Sequence, residues 1–301
     1  MYKEIDYYSV EVGELLNKIE RGDGHLVSDA KSQTIIGYCY YNGYGVGKSR
    51  HDAAKWFSLA VEQNYADAQL LLGRCYYNHS SYYYRPDEMV RLFKLAIAQG
   101  VNEALIDLGR CYQHGVGVTY DHVKAVELYN MAAETGEHEA LVYLGWCYQS
   151  GEGVTQDFKK AVQLFHMAAK KDVIMAQVRL GECYEYGYGV TQDYKKAIRL
   201  YRMAADKGNP EAQYLLGHCY EYGIGVSKDI DEALRLYHIA AEQDFDEALF
   251  ELGVCYRDGR GVSKDRSTAY SYFMRVSVAD VSYGDIGWKA VAEYECDELY
   301  K

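Results

Sequence analysis

The chain has 301 residues, of which 49% are apolar and 25% are charged, as in an ordinary folded protein. Its net charge of −12 argues against DNA, RNA or anionic lipid as the main partner, because polyanions are repelled by an acidic surface. No apolar run approaches the roughly 20 residues that a membrane-spanning helix needs, and acidic residues interrupt the N-terminal segment where a signal peptide would be apolar. We therefore expect a cytoplasmic protein without a membrane partner.

The first predicted element is a helix around Val10–Glu20, and residues 1–28 precede a long periodic region. That region is marked by cysteines spaced by 36 residues. Each has a glycine two positions before it and a tyrosine directly after it. The cysteines are Cys39, Cys75, Cys111, Cys147, Cys183, Cys219 and Cys255. Seven units of equal length follow: residues 29–64, 65–100, 101–136, 137–172, 173–208, 209–244 and 245–280.

Each unit contains the pattern of two helices. In the unit 173–208, apolar residues recur at spacings of three and four before Gly187 and again after Asp193. Gly187 is placed to end the first helix in a left-handed conformation, and Asp193 is placed to cap the second. Gly208 ends the second helix, and Pro210 suits the first turn of the next one. A single pair of helices cannot bury its apolar face alone, so the units must stack.

The repeated pattern resembles the Sel1-like repeat, a relative of the tetratricopeptide repeat. The residues of unit 173–208 that match it are Ala176, Leu180, Gly181, Tyr184, Gly187, Gly189, Val190, Asp193, Lys196, Ala197, Tyr201, Ala204, Ala205 and Gly208. The resemblance covers roughly residues 29–280. It implies an all-α fold, a right-handed α-solenoid of seven helix-turn-helix repeats, and a role as an adaptor in protein complexes.

Two regions depart from the pattern. Unit 65–100 has His79 and Ser81 in place of the loop glycines, and we expect Pro86 to start its second helix. Residues 281–301 match only a degenerate first helix. We expect this segment and residues 1–28 to be helical caps over the open ends of the array. The final residues, DELYK, are also found at the end of green fluorescent protein, and five residues do not distinguish a tag from coincidence.

The sequence shows no constellation of residues typical of catalysis, cofactor binding or metal binding. The cysteines are expected to be small buried hydrophobic residues, because equivalent positions of stacked helix pairs lie farther apart than the roughly 7 Å a disulfide allows. A single cysteine per unit fits a reducing compartment. The glycines around Gly45 follow a helix rather than a strand, which favours helix termination over a nucleotide-binding loop. We therefore predict a protein that is not an enzyme and uses no cofactor.

The family resemblance implies that the first helix of each pair lines a concave face. The residues predicted to bind a partner on that face are Tyr38, Tyr41, Arg74, Tyr77, Arg110, Gln113, His114, Tyr143, Trp146, Gln149, Glu182, Glu185, Tyr186, His218, Glu221 and Tyr222. They change from aromatic and basic at the N-terminal end to acidic at the C-terminal end. Trp146 is the predicted anchor, because tryptophan, tyrosine and arginine dominate binding energy at interfaces. At each position the alternative is a solvated side chain or one packed against the neighbouring repeat, and for the glutamates we expect a solvated face.

The leading hypothesis is a non-enzymatic scaffold that binds a peptide or protein on this face, as a monomer or a weak homo-oligomer. A second hypothesis is a secreted bacterial effector or host-interaction factor that uses the same groove. A third is a small-molecule sensor or enzyme with a tyrosine-rich pocket near Tyr82, Tyr83 and Tyr84.

Overall fold

The computed structural model describes residues 10–77 and 84–278, and within them all regular structure is helical. Contacts between helices group the chain into two compact units, divided between Glu137 and His138. The helices of unit 1 are α1 (Val10–Glu20), α2 (Ala30–Asn42), α3 (Arg50–Glu62), α4 (Ala66–Tyr76), α5 (Pro86–Ala98), α6 (Ala104–His114) and α7 (His122–Glu134), with a short 3-10 helix at Asp23–Leu26. The helices of unit 2 are α8 (Ala140–Ser150), α9 (Phe158–Lys170), α10 (Ile174–Tyr186), α11 (Tyr194–Ala205), α12 (Pro210–Tyr222), α13 (Ile230–Glu242), α14 (Asp246–Asp258) and α15 (Arg266–Val278).

From α2 onward the even-numbered helices are the first helices of the repeats and the odd-numbered ones are the second helices. Within each unit, every first helix packs against the second helix of its own repeat, and those after the first repeat of the unit also pack against the second helix of the repeat before. This confirms the predicted all-α repeat solenoid class. No helix in the described part of the chain has both the length and the apolar character needed to cross a lipid bilayer.

Three of the predicted helix ends of unit 173–208 are present, whereas α11 ends at Ala205, three residues before the predicted Gly208. Gly187 ends α10 with φ of +76°, a left-handed conformation that glycine adopts without steric cost. The Asp193 side chain accepts a hydrogen bond from the backbone N–H of Lys196 at 3.1 Å and so caps α11. Pro210 occupies the first turn of α12, as expected. Asp121, Asp157 and Asp229 cap their helices in the same way, which explains the recurrence of aspartate before second helices.

The repeat glycine brings the two helices of each pair into close contact. A Cβ placed on Gly145 would lie 2.3 Å from the ring of Phe165, far closer than any real Cβ contact. Because the ring of the second helix rests directly on the glycine backbone, any side chain at this position would displace it. The glycine–ring pairs are Gly37–Phe57, Gly73–Phe93, Gly109–Tyr129, Gly145–Phe165, Gly181–Tyr201, Gly217–Tyr237 and Gly253–Phe273.

The repeat cysteines are part of the core. The seven in the described part of the chain are free thiols with at most 2% of their surface exposed, as expected for small buried hydrophobic residues. Burial raises the pKa of the Cys147 thiol to about 12, so it is protonated and unreactive at neutral pH.

The ends and the atypical repeat are only partly described. Helix α1 packs on α2 through Val12, Leu15 and Leu16, which suits the expected N-terminal cap. Residues 281–301, the expected C-terminal cap, lie outside the described residues. Helix α5 begins at Pro86, as the sequence predicts. Of the proposed tyrosine-rich pocket, Tyr82 and Tyr83 also lie outside the described residues.

Candidate functional site

The first-helix face consists of the side chains that α2, α4, α6, α8, α10, α12 and α14 direct away from their second helices. In unit 1 this face is more neutral than the sequence suggests. The guanidinium of Arg74 donates to Glu103 at 2.7 Å and to Asp107 at 2.7 Å. Both carboxyl groups lie in largely buried residues, with 9% of Glu103 and 7% of Asp107 exposed. The prediction of a basic N-terminal end is therefore wrong at Arg74, because two carboxylates of the next repeat neutralise its positive charge.

Arg110 and the tyrosines of unit 1 retain the predicted aromatic character. The Arg110 guanidinium carbon lies 4.8 Å from the centre of the Tyr77 ring, within the range of a cation–π contact. Tyr38, Tyr41 and Tyr77 are half-buried. Burial raises the pKa of all three hydroxyl groups, so they stay protonated and can donate hydrogen bonds at neutral pH.

In unit 2, Trp146 contacts an aromatic ring and a cation. The Tyr143 ring meets Trp146 edge-on, with ring centres 5.3 Å apart. The Arg179 guanidinium carbon lies 5.6 Å from the Trp146 ring centre. Trp146 and Tyr143 are half-buried, so part of each ring is exposed on the first-helix face. The Trp146 ring therefore has a fixed orientation.

Two glutamates hold Arg179 in this position. The Arg179 guanidinium bonds to Glu182 at 2.7 Å and to Glu211 in the next repeat. Burial disfavours its charge, but the two carboxylates outweigh burial and raise the pKa of Arg179. Burial raises the pKa of Glu182, although the charge of Arg179 opposes that shift. Side-chain exposure falls between 17% for Arg179 and 31% for Glu211, so this ion-pair cluster is partly shielded from water.

Two predicted binding residues are part of the core instead. Glu185 is 5% exposed and accepts a hydrogen bond from the Tyr201 hydroxyl at 2.7 Å. Glu221 is 3% exposed and accepts one from the Tyr237 hydroxyl at 2.8 Å. The expectation of a solvated acidic face is wrong for both, because the tyrosine of the second helix needs a buried acceptor.

Gln113 follows the same arrangement. Its side-chain oxygen accepts from the Tyr129 hydroxyl at 2.8 Å, although Gln113 itself is half-buried. Burial and the neighbouring carboxyl group raise the pKa of Tyr201 and of Tyr237, which keeps both hydroxyl groups protonated as donors. The side chains of Gln113, Glu185 and Glu221 are therefore hydrogen-bonded within their own repeats and are less available to a partner.

The most exposed members of the predicted set are aromatic. Tyr186 is 55% exposed and Tyr222 is 53% exposed. His218 lies beside Tyr222, with ring centres 4.6 Å apart, and is half-buried. His114 is exposed at the end of α6, whereas Gln149 is half-buried at the end of α8. The accessible surface is thus a series of aromatic rings rather than an acidic strip.

Several charged residues that form ion pairs on this face are absent from the predicted set, among them Arg179 and Asp107 described above. Arg260, in the loop after α14, pairs with Glu221 and with Glu251, the latter at 2.8 Å, and donates to the Tyr222 hydroxyl at 3.1 Å. Glu103 and Glu211, each of which pairs with an arginine of the preceding repeat, were also missed. Both occupy the same repeat position as Glu139 and Glu247. The recurrence of glutamate at the start of first helices is visible in the sequence and could have indicated a role for this position.

Other surface features of the described residues offer little for chemistry. In unit 2 a cleft of 680 Å³ lies at the C-terminal ends of α9 and α11, lined by Val142, Ile174 and Pro210 with Lys171 and Lys207. No cluster of three or more His, Cys, Asp or Glu side chains suited to a metal occurs in the part of the chain that the structure describes.

Structures similar to this chain are repeat proteins of bacteria. A Sel1 repeat protein from Oxalobacter formigenes is 28% identical with a TM-score of 0.62, and the match covers 77% of this chain and 97% of that one. The antigen c5321 from uropathogenic Escherichia coli, described as having an SLR fold, is 26% identical with a TM-score of 0.51, covering 97% of this chain and 73% of that one. The immunity protein Pa5087 from Pseudomonas aeruginosa is 21% identical with a TM-score of 0.52, covering 78% and 81%, and it shares the fold.

The sequence itself matches a family model. No curated protein gives a significant match to the chain. The model of the Sel1 repeat matches seven times, at residues 30–65, 66–88, 102–136, 138–173, 174–209, 210–245 and 246–273. Sel1 repeat proteins generally mediate interactions between proteins. The matches extend over most of the sequence, and the chain belongs to the Sel1 repeat family.

Proposed function

We propose that the protein is a non-enzymatic scaffold that binds a peptide or protein partner on its first-helix face, with Trp146 as the main anchor. The observation that carries this proposal is the contact of the Trp146 ring with both Tyr143 and Arg179, which restricts its orientation. A ring that is already oriented loses little conformational freedom on binding, which favours affinity. Tryptophan, tyrosine and arginine are also the residues most often found as binding hot spots.

The exposed rings of Tyr186 and Tyr222 extend the proposed contact surface along unit 2. Each lies at the C-terminal end of a first helix, one repeat apart, and more than half of its surface is exposed. Tyrosine provides apolar area and a hydroxyl group on a side chain with few rotatable bonds. A partner with apolar side chains and hydrogen-bond acceptors at matching intervals fits this surface.

The test uses photo-crosslinking in the native cell. A photo-crosslinking amino acid replaces Tyr186, and the adducts are compared with and without the substitution Trp146→Ala. We expect a discrete adduct that is lost in the variant, because removing a hot-spot tryptophan weakens binding by about 2 kcal/mol, or roughly thirtyfold. A crosslinker at Tyr120, which is 60% exposed in a loop of unit 1, is the control for nonspecific capture.

The outcome is decisive only if the fold survives. Helical circular dichroism and the melting temperature of the Trp146→Ala variant have to match those of the wild type. An adduct that persists in a folded variant, or equal adducts from Tyr186 and Tyr120, would argue against binding on the first-helix face.

A second candidate function is a secreted factor that uses the same face on a host protein. It is favoured by the likeness to c5321, a protective antigen of uropathogenic Escherichia coli, across 97% of this chain. Finding the protein in the culture medium of intact cells would support this role, and finding it only inside them would count against it.

A further inference from the structure

The second helices present an exposed surface of their own, and in unit 2 two of them are strongly basic. Helices α9 and α11 contain no aspartate or glutamate between their first and last residues. Their exposed cations are Lys159, Lys160 and Lys170 on α9 and Lys195, Lys196, Arg199 and Arg202 on α11. In a chain with a net charge of −12 this is a local reversal of sign.

Arg199 shows how the reversal arises. At the same repeat position, Arg91 in α5 and Arg235 in α13 each form two hydrogen bonds with a glutamate three residues earlier, at 2.6–2.7 Å. In α11 the residue three positions before Arg199 is Lys196 instead of glutamate. Within the described residues Arg199, Lys195 and Lys170 form no ion pair. The intrahelical partner of the arginine has therefore been replaced by a like charge, which destabilises an isolated helix.

Exposed methionines lie among these cations. Met167 in α9 is 53% exposed and Met203 in α11 is 40% exposed, at one repeat position in consecutive repeats. Met131 in α7 is also exposed at this repeat position, at 48%, so Met167 and Met203 differ from it by the cations on their own helices rather than by exposure. Methionine is flexible and polarisable, and it adapts to varied apolar partners.

The two helices form one continuous surface. Helix α10 packs against both of them, and Lys207, two residues after α11, pairs with Asp172, two residues after α9. We call the exposed side of these two helices the basic face; it comprises Lys159, Met167, Lys170, Lys195, Arg199, Arg202 and Met203.

We propose that the basic face binds an acidic amphipathic segment of a partner protein, with carboxylates opposite the cations and apolar side chains over the two methionines. The surface is separate from the first-helix face, so this interaction does not depend on Trp146. A bound acidic segment provides the carboxylate that Arg199 lacks within its own helix and shields Met167 and Met203 from water.

The limited extent of the basic face favours a short segment over a nucleic acid or a membrane. The next second helix, α13, carries Asp231, Glu232 and Glu242, and its one arginine is already paired. A long polyanion or an anionic bilayer that continued past two repeats would meet these carboxylates and be repelled. A helix of about 14 residues is roughly 20 Å long, enough to cross two neighbouring helices of a repeat stack.

The test measures binding of a fluorescent peptide of about 14 residues, an amphipathic helix of glutamate and leucine, to the full chain. We expect Arg199→Glu/Arg202→Glu to weaken binding at least about tenfold, since two attractive charges become repulsive. The matched control is Arg91→Glu/Lys94→Glu in α5, which makes the same charge change at the same repeat positions and is expected to leave affinity unchanged. Higher salt is expected to weaken binding by the wild type.

A second pair of variants tests the methionines. We expect Met167→Ser/Met203→Ser to weaken peptide binding several-fold while its salt dependence is retained, and Met131→Ser, at the same repeat position in α7, to have no effect. Three results would overturn the proposal: no measurable peptide binding, equal loss in both charge variants, or tighter binding to duplex DNA or phosphatidylserine vesicles than to the peptide. The melting temperature of each variant verifies that the fold is intact.

Discussion

The seven repeats fall into two kinds, according to the ring that rests on the repeat glycine. In four of them the ring is phenylalanine, and in the other three it is Tyr129, Tyr201 or Tyr237. Each tyrosine hydroxyl donates to a residue two positions after the repeat cysteine: Gln113, Glu185 or Glu221. In the phenylalanine repeats that position holds Tyr41, Tyr77, Gln149 or Arg257.

The presence of a hydroxyl group on the buried ring determines whether the residue two positions after the repeat cysteine is hydrogen-bonded within its own repeat. A buried hydroxyl needs an acceptor, and in repeats five and six the acceptor is a glutamate drawn almost completely out of water. In a phenylalanine repeat the ring has no hydroxyl group, so the residue at this position does not have to accept a hydrogen bond from it. A side chain at this position is therefore available to a partner only if it does not accept a hydrogen bond from the ring of the second helix.

The largest expected effect concerns what both kinds of repeat share, the buried thiols. Burial raises the pKa of Cys75, Cys111 and Cys147 to about 12 from an ordinary value of 9.0. Because the folded-state pKa is the higher one, these thiols stabilise the fold below about pH 9, and this stability is lost as the pH rises toward 12. We expect a loss of roughly 1 kcal/mol per pH unit for each thiol above about pH 9, measured by urea unfolding under reducing conditions.

The substitution Cys147→Ala is the control for the alkaline effect. Removing one thiol should reduce the slope of the unfolding free energy against pH by the contribution of one titrating group. The contributions of the thiols in the other repeats should remain. A free energy of unfolding that stays constant between about pH 8 and pH 10 would contradict the inferred burial of the thiols.

The second prediction tests whether the glycine has the same role in both kinds of repeat. We expect Gly145→Ala beneath Phe165 and Gly181→Ala beneath Tyr201 to cost about 2–3 kcal/mol each, because the new methyl group would overlap the ring. Gly13→Ala in α1 meets no atom within 4 Å and should stabilise the protein by about 0.5–1 kcal/mol. Thermal and urea unfolding measure all three. If Gly145→Ala and Gly13→Ala behave alike, the close contact with the ring is not the reason for the glycine.

The third prediction concerns variants that remove the hydrogen bond between the tyrosine hydroxyl and its buried acceptor. Tyr201→Phe removes the one hydroxyl group that bonds to the buried Glu185, and we expect a cost of about 1–3 kcal/mol. Tyr237→Phe should cost less, because Glu221 keeps its contact with Arg260. The double variant Tyr201→Phe/Glu185→Leu should regain most of the loss in a double-mutant cycle of unfolding free energies. Equal costs for the two single variants would show that Arg260 does not support Glu221.

The smallest effect is expected when a phenylalanine repeat is converted. Phe165→Tyr adds a hydroxyl in a repeat that already has Gln149 where the tyrosine repeat 101–136 has Gln113. We expect stability to change by less than about 1 kcal/mol, since the added hydroxyl meets an acceptor. Urea unfolding measures the change, and a crystal structure of the variant would locate the new hydrogen bond. A clear destabilisation would mean that Gln149 cannot turn toward the ring.

Much of the fold could be predicted from the sequence. The spacing of 36 residues gave the register of every repeat, Gly187 and Asp193 gave helix ends, and Pro86 gave the start of α5. These features are local, because a backbone conformation or a cap depends on residues within a few positions of each other along the chain. The site was less predictable. Trp146 is partly exposed on the first-helix face, its role as an anchor stays a prediction, and its contact with Arg179 required the structure.

What the sequence by itself determined is the repeat: its length, its helix pairs, its buried cysteines and the position of its glycine. What only the tertiary structure decided is which first-helix side chains remain available. Arg74 is compensated by Glu103 and Asp107, and Glu185 and Glu221 are buried under tyrosine hydroxyl groups. The physical reason is that periodicity tells which residues are equivalent, but hydrogen bonds and ion pairs depend on distances across the helix interfaces, and those distances are set by how the helices pack.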